Sequence, residues 1–164
     1  MDKNSINIRE AEFNEASALA GIISESFRDV AQRFQLTPGN CPKHPSNCKG
    51  HWVEKDFERG VSYFILEHIG ENIGCVALEK ADTDQFYLER LSVLPEYRQR
   101  GYGKALVDYI FLKAKKMGAE RMGIGIISKH AELKMWYQKM GFVEVETKEF
   151  PHLPFVVSFM EYKL

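Results

Sequence analysis

Apolar positions recur along this chain with two different periods, and the switches between them lay out its elements. Residues 5-SINIREA-11 alternate apolar and polar, the period-2 signature of a short strand. From Asn14 the apolar positions Ala16, Leu19, Ile22, Ile23, Phe27 and Val30 fall at helical spacing. Asn14 suits an N-cap, so one helix is predicted to about residue 34. The stretch 37-TPGNCPKHPSNCKG-50 is rich in Pro, Gly, Asn and Ser and reads as a long loop. A short helix over 51–59 follows, ended by Gly60. Then 61-VSYFILEH-68 and 72-NIGCVALEKA-81 flank a turn and predict a hairpin. A third strand, 85-QFYLERLSV-93, places Phe86, Leu88, Arg90 and Ser92 on one face. Tyr87, Glu89, Leu91 and Val93 take the other.

The second half continues the pattern. A helix is predicted over 101–117, ended by Gly118, then a strand over 121-RMGIGIIS-128. A helix over 129–140, ended by Gly141, leads to the strands 142-FVEVETKEF-150 and 155-FVVSFMEYKL-164. The strand–helix–strand unit from 86 to 128 requires a right-handed crossover and locally parallel strands, whereas the hairpins around it are antiparallel. The expected fold is α/β: a mixed, mostly antiparallel central sheet of about seven strands with flanking helices.

Composition narrows the class. The chain has 164 residues, 45% hydrophobic and 27% charged, which predicts one soluble, compact domain. Lysine and arginine total 22 against 23 acidic residues, a net charge of −1, which argues against a general nucleic-acid surface. No apolar run approaches the ~20 residues that span a bilayer, so no membrane partner is expected. The polar start 1-MDKNSINIREAE-12 lacks the apolar core of a signal peptide, and a cytoplasmic location is expected. Three cysteines, Cys41, Cys48 and Cys75, make no disulfide framework, which suits a reducing compartment.

The chemistry concentrates in 97-YRQRGYGKALV-107, a basic, glycine-bearing loop between a strand and a helix. A helix start offers unpaired N–H groups and a partial positive charge, and so attracts anions. Gly101 and Gly103 allow a sharp turn and close approach, and Arg98, Arg100 and Lys104 add charge. The spacing is not that of a P-loop, nor of the dinucleotide G-x-G-x-x-G, because Leu106 stands where the third glycine belongs. On this stretch alone, a phosphate cradle and an ordinary basic turn both stand.

The longer string 88-LERLSVLPEYRQRGYGKALVDYI-110 resembles the signature of the GNAT superfamily of acyl-CoA-dependent N-acyltransferases. Residues 98–103 match that family's [R/Q]-x-x-G-x-[G/A] loop, and Leu91-Ser92-Val93 its preceding L-x-V. Downstream, 136-WYQKMGF-142 resembles the family's [L/F/W]-Y-x-x-x-G-F. The likeness is close over about 61–145 and weak before it. It implies a single GNAT domain over 1–164, with acetyl-CoA as cosubstrate and no metal. In the family, backbone N–H groups of the loop cradle the CoA diphosphate. This falls on Arg98, Gln99, Arg100, Gly101, Tyr102, Gly103 and Lys104, with the side chains of Gln99, Arg100 and Tyr102 facing solvent or the adenosine end. Leu91, Ser92 and Val93 fall where the strand bonds pantetheine, with the Val93 N–H as the group that polarises the acyl carbonyl. Tyr137 falls on the tyrosine that protonates the departing thiolate; read without the resemblance, the favoured reading is a helix tyrosine packed against the sheet. His130 stands where the family often has a cofactor-contacting Asn, and Leu133 replaces the small residue expected three positions later.

An ammonium must lose a proton before it can attack a thioester, and Glu89 is the candidate acceptor, two residues before the thioester position. The alternatives are a strand glutamate paired with a nearby cation, or ordered water as the base. Cys41, His44, Cys48 and His51 form a C-x2-H-x3-C-x2-H string of potential zinc ligands, but the spacing is unlike a zinc finger. The preferred reading is a loop bordering the acceptor pocket, with His44, Asn47, Cys48 and Trp52 as its contributors. Gly123 and Gly125 suit close approach by a ligand. Cys75 has no visible activating partner and is not read as a nucleophile. The expected reaction is direct attack by a primary amine on acetyl-CoA in a ternary complex. The acceptor is expected to be a small molecule, and the resemblance admits a homodimer. The rival readings are a non-catalytic CoA-binding module on the same fold, a protein or peptide N-acetyltransferase, and a zinc-stabilised interaction domain.

Overall fold

The computed structural model describes residues 5–164; the polar residues 1–4, used above for the compartment, lie outside them. Strand β1 (Ile6–Glu10) is followed by a 3-10 turn at Phe13–Glu15 and helix α1 (Ala16–Ser26). Asn14 is therefore not the cap. Glu12 and Glu15 close a capping box instead, and the Glu12 N–H donates to Glu15 Oε2 at 2.8 Å. The single helix predicted to residue 34 is two. The chain leaves α-geometry at Phe27 (φ −97, ψ 0) and resumes as α2 (Arg28–Arg33). Helix α3 (Gly50–Glu58) leads into the hairpin of β2 (Ser62–His68) and β3 (Glu71–Lys80), then β4 (Gln85–Val93). Helix α4 (Tyr102–Lys116) crosses to β5 (Arg121–Ile127), α5 (Ala131–Lys139) follows, and β6 (Val143–Lys148) and β7 (Val157–Lys163) close the chain.

The seven strands form one sheet in the order β1-β2-β3-β4-β5-β7-β6. Every neighbouring pair is antiparallel except β4 and β5. Period-2 alternation feeds two cores. Phe64 and Leu66 of β2, with Val76 and Leu78 of β3, join Leu106, Ile110 and Met122 under α4. Tyr63, Ile65, Cys75 and Ala77 join Leu19, Ile23 and Val53 under α1 and α3. Burying such aliphatic side chains contributes about 1.5–3 kcal/mol each, so the two apolar faces fix the sheet between its helix layers.

Two departures from regular pairing shape the centre. In β4 the register against β3 slips between Cys75 and Ala77, and Arg90 adopts φ +53. This β-bulge reverses the side-chain phase. Phe86 and Leu88 face α4, but after the bulge Leu91 and Val93 also pack on that side. Arg90 reaches Asp56 and Tyr63 on the α3 side, and Ser92 lies opposite Cys75. The strict alternation expected from the sequence fails here, and Arg90 shares the face of Glu89 rather than opposing it. Secondly, β4 and β5 pair only at Gln85↔Arg121, Phe86↔Met122 and Tyr87↔Gly123. Beyond Tyr87 the two strands carry no mutual ladder, which leaves a fork in the middle of the sheet.

Candidate active site

The loop between β4 and α4 is held from behind. Arg98 donates from Nη2 to the Ser26 carbonyl (2.6 Å), from Nη1 to Asp29 (2.7 Å) and from Nε to the Val93 carbonyl (3.3 Å). Its side chain braces the loop against α1 and α2. Gln99 (φ +61) and Gly101 (φ +84) both sit in the left-handed region, where glycine carries no Cβ penalty. Helix bonding begins with Ala105 N–H to the Gly101 carbonyl at 3.0 Å. Among the described residues, no backbone acceptor answers the N–H groups from Gln99 to Lys104. Those donors lie at the N-terminal, partly positive end of α4.

The side chains of this loop divide differently from expectation. Gln99 and Arg100 are exposed, with the Arg100 guanidinium 5.6 Å from the Tyr97 ring. Lys104 pairs with Asp108 at 2.8 Å. Tyr102 does not face solvent. It is 6% exposed, belongs to the α4 core, and sets its ring tilted against that of His68, with centroids 5.9 Å apart. The first turn of an amphipathic helix turns that position inward, so only the backbone of Tyr102 is available to a ligand. A Cβ on Gly103 would stand 3.3 Å from Trp136, so this glycine lets α5 lean on the first turn of α4.

Strand β4 supplies the edge of the fork. The Leu94 N–H bonds the Ile73 carbonyl at 2.9 Å. Backbone polarity alternates along a strand, so the neighbouring Val93 N–H points away from β3, toward the fork. The Ser92 hydroxyl donates to the Arg90 carbonyl at 2.9 Å, inside the bulge, and faces no ligand space. Leu91 and Val93 pack against the cluster that holds Tyr137.

Tyr137 lies on α5 and is 4% exposed, edge-on to the rings of Trp136 and Phe142. Burial raises its phenol above the ordinary value, so it is fully protonated at neutral pH. His130 caps α5: its Nδ1 accepts from the Leu133 N–H at 3.4 Å, and its ring lies 5.6 Å from that of Phe34. Burial, then the charge of Arg33, lowers its pKa.

On the α3 side of the fork a cavity of about 350 Å³ opens beside the last paired residues. Leu88, Ile124 and Phe159 are among its apolar lining, and Glu79 and Glu89 supply its two carboxyls. Burial, followed by the adjacent Glu79, pushes the Glu89 carboxyl up to about 8. Glu79 is lowered, first by its hydrogen bond with Glu89 and then by Arg59, with which it forms an ion pair. Glu79 was not singled out by the sequence. Its signal was its place one pleat beyond Ala77 on an inward face, opposite Tyr87. Gly123 serves packing rather than a ligand, since a Cβ there would strike the Tyr87 ring at 2.7 Å.

The 41–51 segment folds as packing too. Cys41, His44 and Cys48 are buried and His51 is exposed. Among the described residues no group of three or more His, Cys, Asp or Glu side chains is placed to hold a metal ion. The His44 ring sits edge-on to Phe27 with Nδ1 2.7 Å from the Ser46 hydroxyl, and burial pushes its pKa down to about 4. Trp52 lies between Lys43 and Arg90, and Asn47 donates to the Cys41 carbonyl at 3.2 Å. A second cavity, about 490 Å³, lies between Phe34, Ile127 and the β6–β7 connection at Phe150, Leu153 and Phe155. No helix among the described residues is long and apolar enough to cross a membrane.

Comparison with known proteins bears on this geometry. Residues 59–144, just over half the chain, match the acetyltransferase (GNAT) domain family. An amino-acid acetyltransferase of Neisseria meningitidis serogroup A is 32% identical over 103 residues, 62% of this chain and 23% of that protein. An uncharacterized N-acetyltransferase of Chlorobaculum tepidum, CT2212, is 28% identical over 99 residues, 60% of this chain and 61% of that one. The chain thus spans less than two thirds of either relative. Among solved structures, yncA of Salmonella typhimurium, a putative acetyltransferase with acetyl-CoA, superposes with a TM-score of 0.71 at 19% identity, covering 98% of this chain and 95% of that one. A GNAT family acetyltransferase of Elizabethkingia anophelis with acetyl-CoA bound gives 0.67 at 16% identity, covering 99% and 100%. Both share this fold.

Proposed function

Because the chain belongs to the GNAT acetyltransferase family, we propose that it transfers an acetyl group from acetyl-CoA to the primary amine of a small molecule, by direct attack in a ternary complex. The observation that carries this reading is the row of unanswered N–H groups from Gln99 to Lys104 beside a fork that opens past Tyr87. Those donors and Gly101 suit a diphosphate. The fork is open to an extended pantetheine arm, and the Val93 N–H is aimed to polarise the acyl carbonyl.

The residues then divide the proton work. Glu89, once ionised by the charge of the bound ammonium, takes one proton from it. The free amine attacks the thioester carbon, a C–N bond forms and the C–S bond breaks. Tyr137 gives its hydroxyl proton to the leaving sulfur and recovers one from the new amide nitrogen. The balance is one ammonium and one thioester in, one amide, one thiol and one proton out. No covalent enzyme intermediate is involved, and Cys75 is unsuited to be one: burial pushes its thiol up to about 12. A small acceptor is supported by the size of the cavity at Glu89, about 350 Å³. Acetyl-CoA-dependent thiol release, screened over small amines, amino acids and peptides, tests the reading. Turnover strongest on peptides or proteins would move the acceptor class, and binding of acetyl-CoA without turnover on any amine would leave a CoA-binding module.

A further inference from the structure

Glu79 has no part in the scheme above, yet it lines the same cavity as Glu89. On β3 and β4 the register pairs Ala77 with Glu89 and Glu79 with Tyr87, so the two carboxylates are diagonal neighbours on one face of the sheet. Glu79 is tied to Arg59 of α3, whereas Glu89 has no ion-pair partner among the described residues. Arg90 does not serve it, because that guanidinium is taken by Asp56 and Tyr63. The remaining wall carries no cation. Tyr87 comes from β4, while β5 and β7 supply Ile124, Gly125 and Phe159.

From this arrangement, and resting on the acyl-transfer reading, we propose that Glu79 and Glu89 act as one proton-sharing pair that selects a cationic amine and releases its proton to solvent when the ammonium binds. Two adjacent carboxylates in a mostly apolar wall repel one another, so the empty pair retains a single proton. An ammonium stabilises the doubly ionised pair in its place. The proton leaves to solvent as the amine enters, and Glu89, now a carboxylate, can take the amine's own proton when the nitrogen attacks. Bound substrate therefore creates the base that its reaction needs, while a neutral alcohol of the same shape leaves the pair protonated and gains no foothold. Glu79 is in this sense a positioning residue: it sets the charge state of Glu89 and touches the reacting nitrogen only through it. Asp56 and Arg90 also act on Glu89 through their charges and Tyr87 lines the same cavity, but Asp56 and Arg90 are committed to each other.

The test is a carboxyl 13C NMR titration of the free protein, with the Glu89 signal identified by its loss in Glu89→Gln. The expected wild-type midpoint lies near 8, as the burial of the pair dictates. In Glu79→Gln it should fall by about one pH unit or more. Glu79→Asp, which keeps the charge, should hold it raised and controls for damage to the fold. Millimolar n-butylamine should lower the wild-type midpoint, and 1-butanol should not. A midpoint unmoved in Glu79→Gln, or an equal response to amine and alcohol, overturns the pairing. Calorimetry with acetyl-CoA, which involves neither carboxyl, separates that failure from failure of the acyl-transfer reading.

Discussion

Arg90 Nη1 donates to Asp56 Oδ2 at 2.8 Å and to the Tyr63 hydroxyl at 2.8 Å, so the one left-handed residue of β4 is pinned to the helix behind the sheet. Tyr63 in turn donates to Asp56 at 2.6 Å, closing a three-membered network at the bulge. Removing one partner of a buried ion pair leaves the other charged and poorly solvated. Asp56→Ala should cost about 3 kcal/mol in urea unfolding, at the low end of the range for a buried pair because Arg90 retains some solvent contact. Arg90→Gly should cost less. Glycine accepts the positive φ, and Asp56 keeps both Tyr63 and Arg59. The opposite ranking would mean that the network does not hold the bulge.

The loop brace makes a prediction about salt. If Arg98 acts by holding the N–H groups in place, Arg98→Ala should weaken acetyl-CoA by about tenfold in calorimetry, and by a similar factor at low and high ionic strength. A direct ionic contact with phosphate would instead lose its advantage as salt screens it.

Tyr137→Phe removes the proton that would reach sulfur and leaves the ring packing on Trp136 and Phe142. Turnover should fall about a hundredfold, within the usual range for a lost general acid, with acetyl-CoA affinity changed less than about twofold. Full activity in the variant would remove the role assigned to the hydroxyl.

Two buried groups should tilt stability with pH in opposite senses. The Glu89 carboxyl is raised to about 8, so the fold binds a proton that the unfolded chain has lost. That contribution is complete below the ordinary glutamate range and disappears as the pH climbs toward 8. His44 is lowered to about 4, so the unfolded chain binds the extra proton, and stability falls as the pH drops from about 6.5 toward 4. Melting curves of Glu89→Gln should therefore gain on wild type between pH 5 and 8, and those of a neutral His44 replacement such as His44→Asn should lose least on acidification.

Gly74 is a packing requirement beside the bulge. A Cβ there would meet the Ser92 carbonyl at 2.7 Å, and that backbone cannot yield without opening the β3–β4 ladder. Gly74→Ala should lower the melting temperature by several degrees, as a cost of about 2 kcal/mol does in a chain of this size.

The elements were legible because period alone decides between strand and helix, and the core faces of β2 from Tyr63 to Leu66 and of β3 from Cys75 to Leu78 follow it. What escaped was set by contacts between distant residues. A single inserted residue at Arg90 reverses everything after it, and nothing in 85-QFYLERLSV-93 marks the insertion, which is fixed by Asp56 and Tyr63 more than twenty positions away. The break at Phe27 leaves the helical pattern of apolar residues intact. The loop at 98–103 and Tyr137 stood out because their spacing is a local signature. Arg98 looked like a phosphate ligand because its partners, Ser26 and Asp29, lie some seventy positions upstream. Glu79 was marked only by its inward phase on β3, and its meaning comes from the carboxyl diagonal to it on β4.

The three residue pairs that join β4 to β5 leave the sheet as two leaflets sharing a short stitch. Mechanical continuity between them then runs through the crossover helix and through Trp136 seated on Gly103, rather than along the backbone ladder. A molecule lying in the gap would act as a missing strand, and amide protons on both leaflets would slow their exchange together once it arrived.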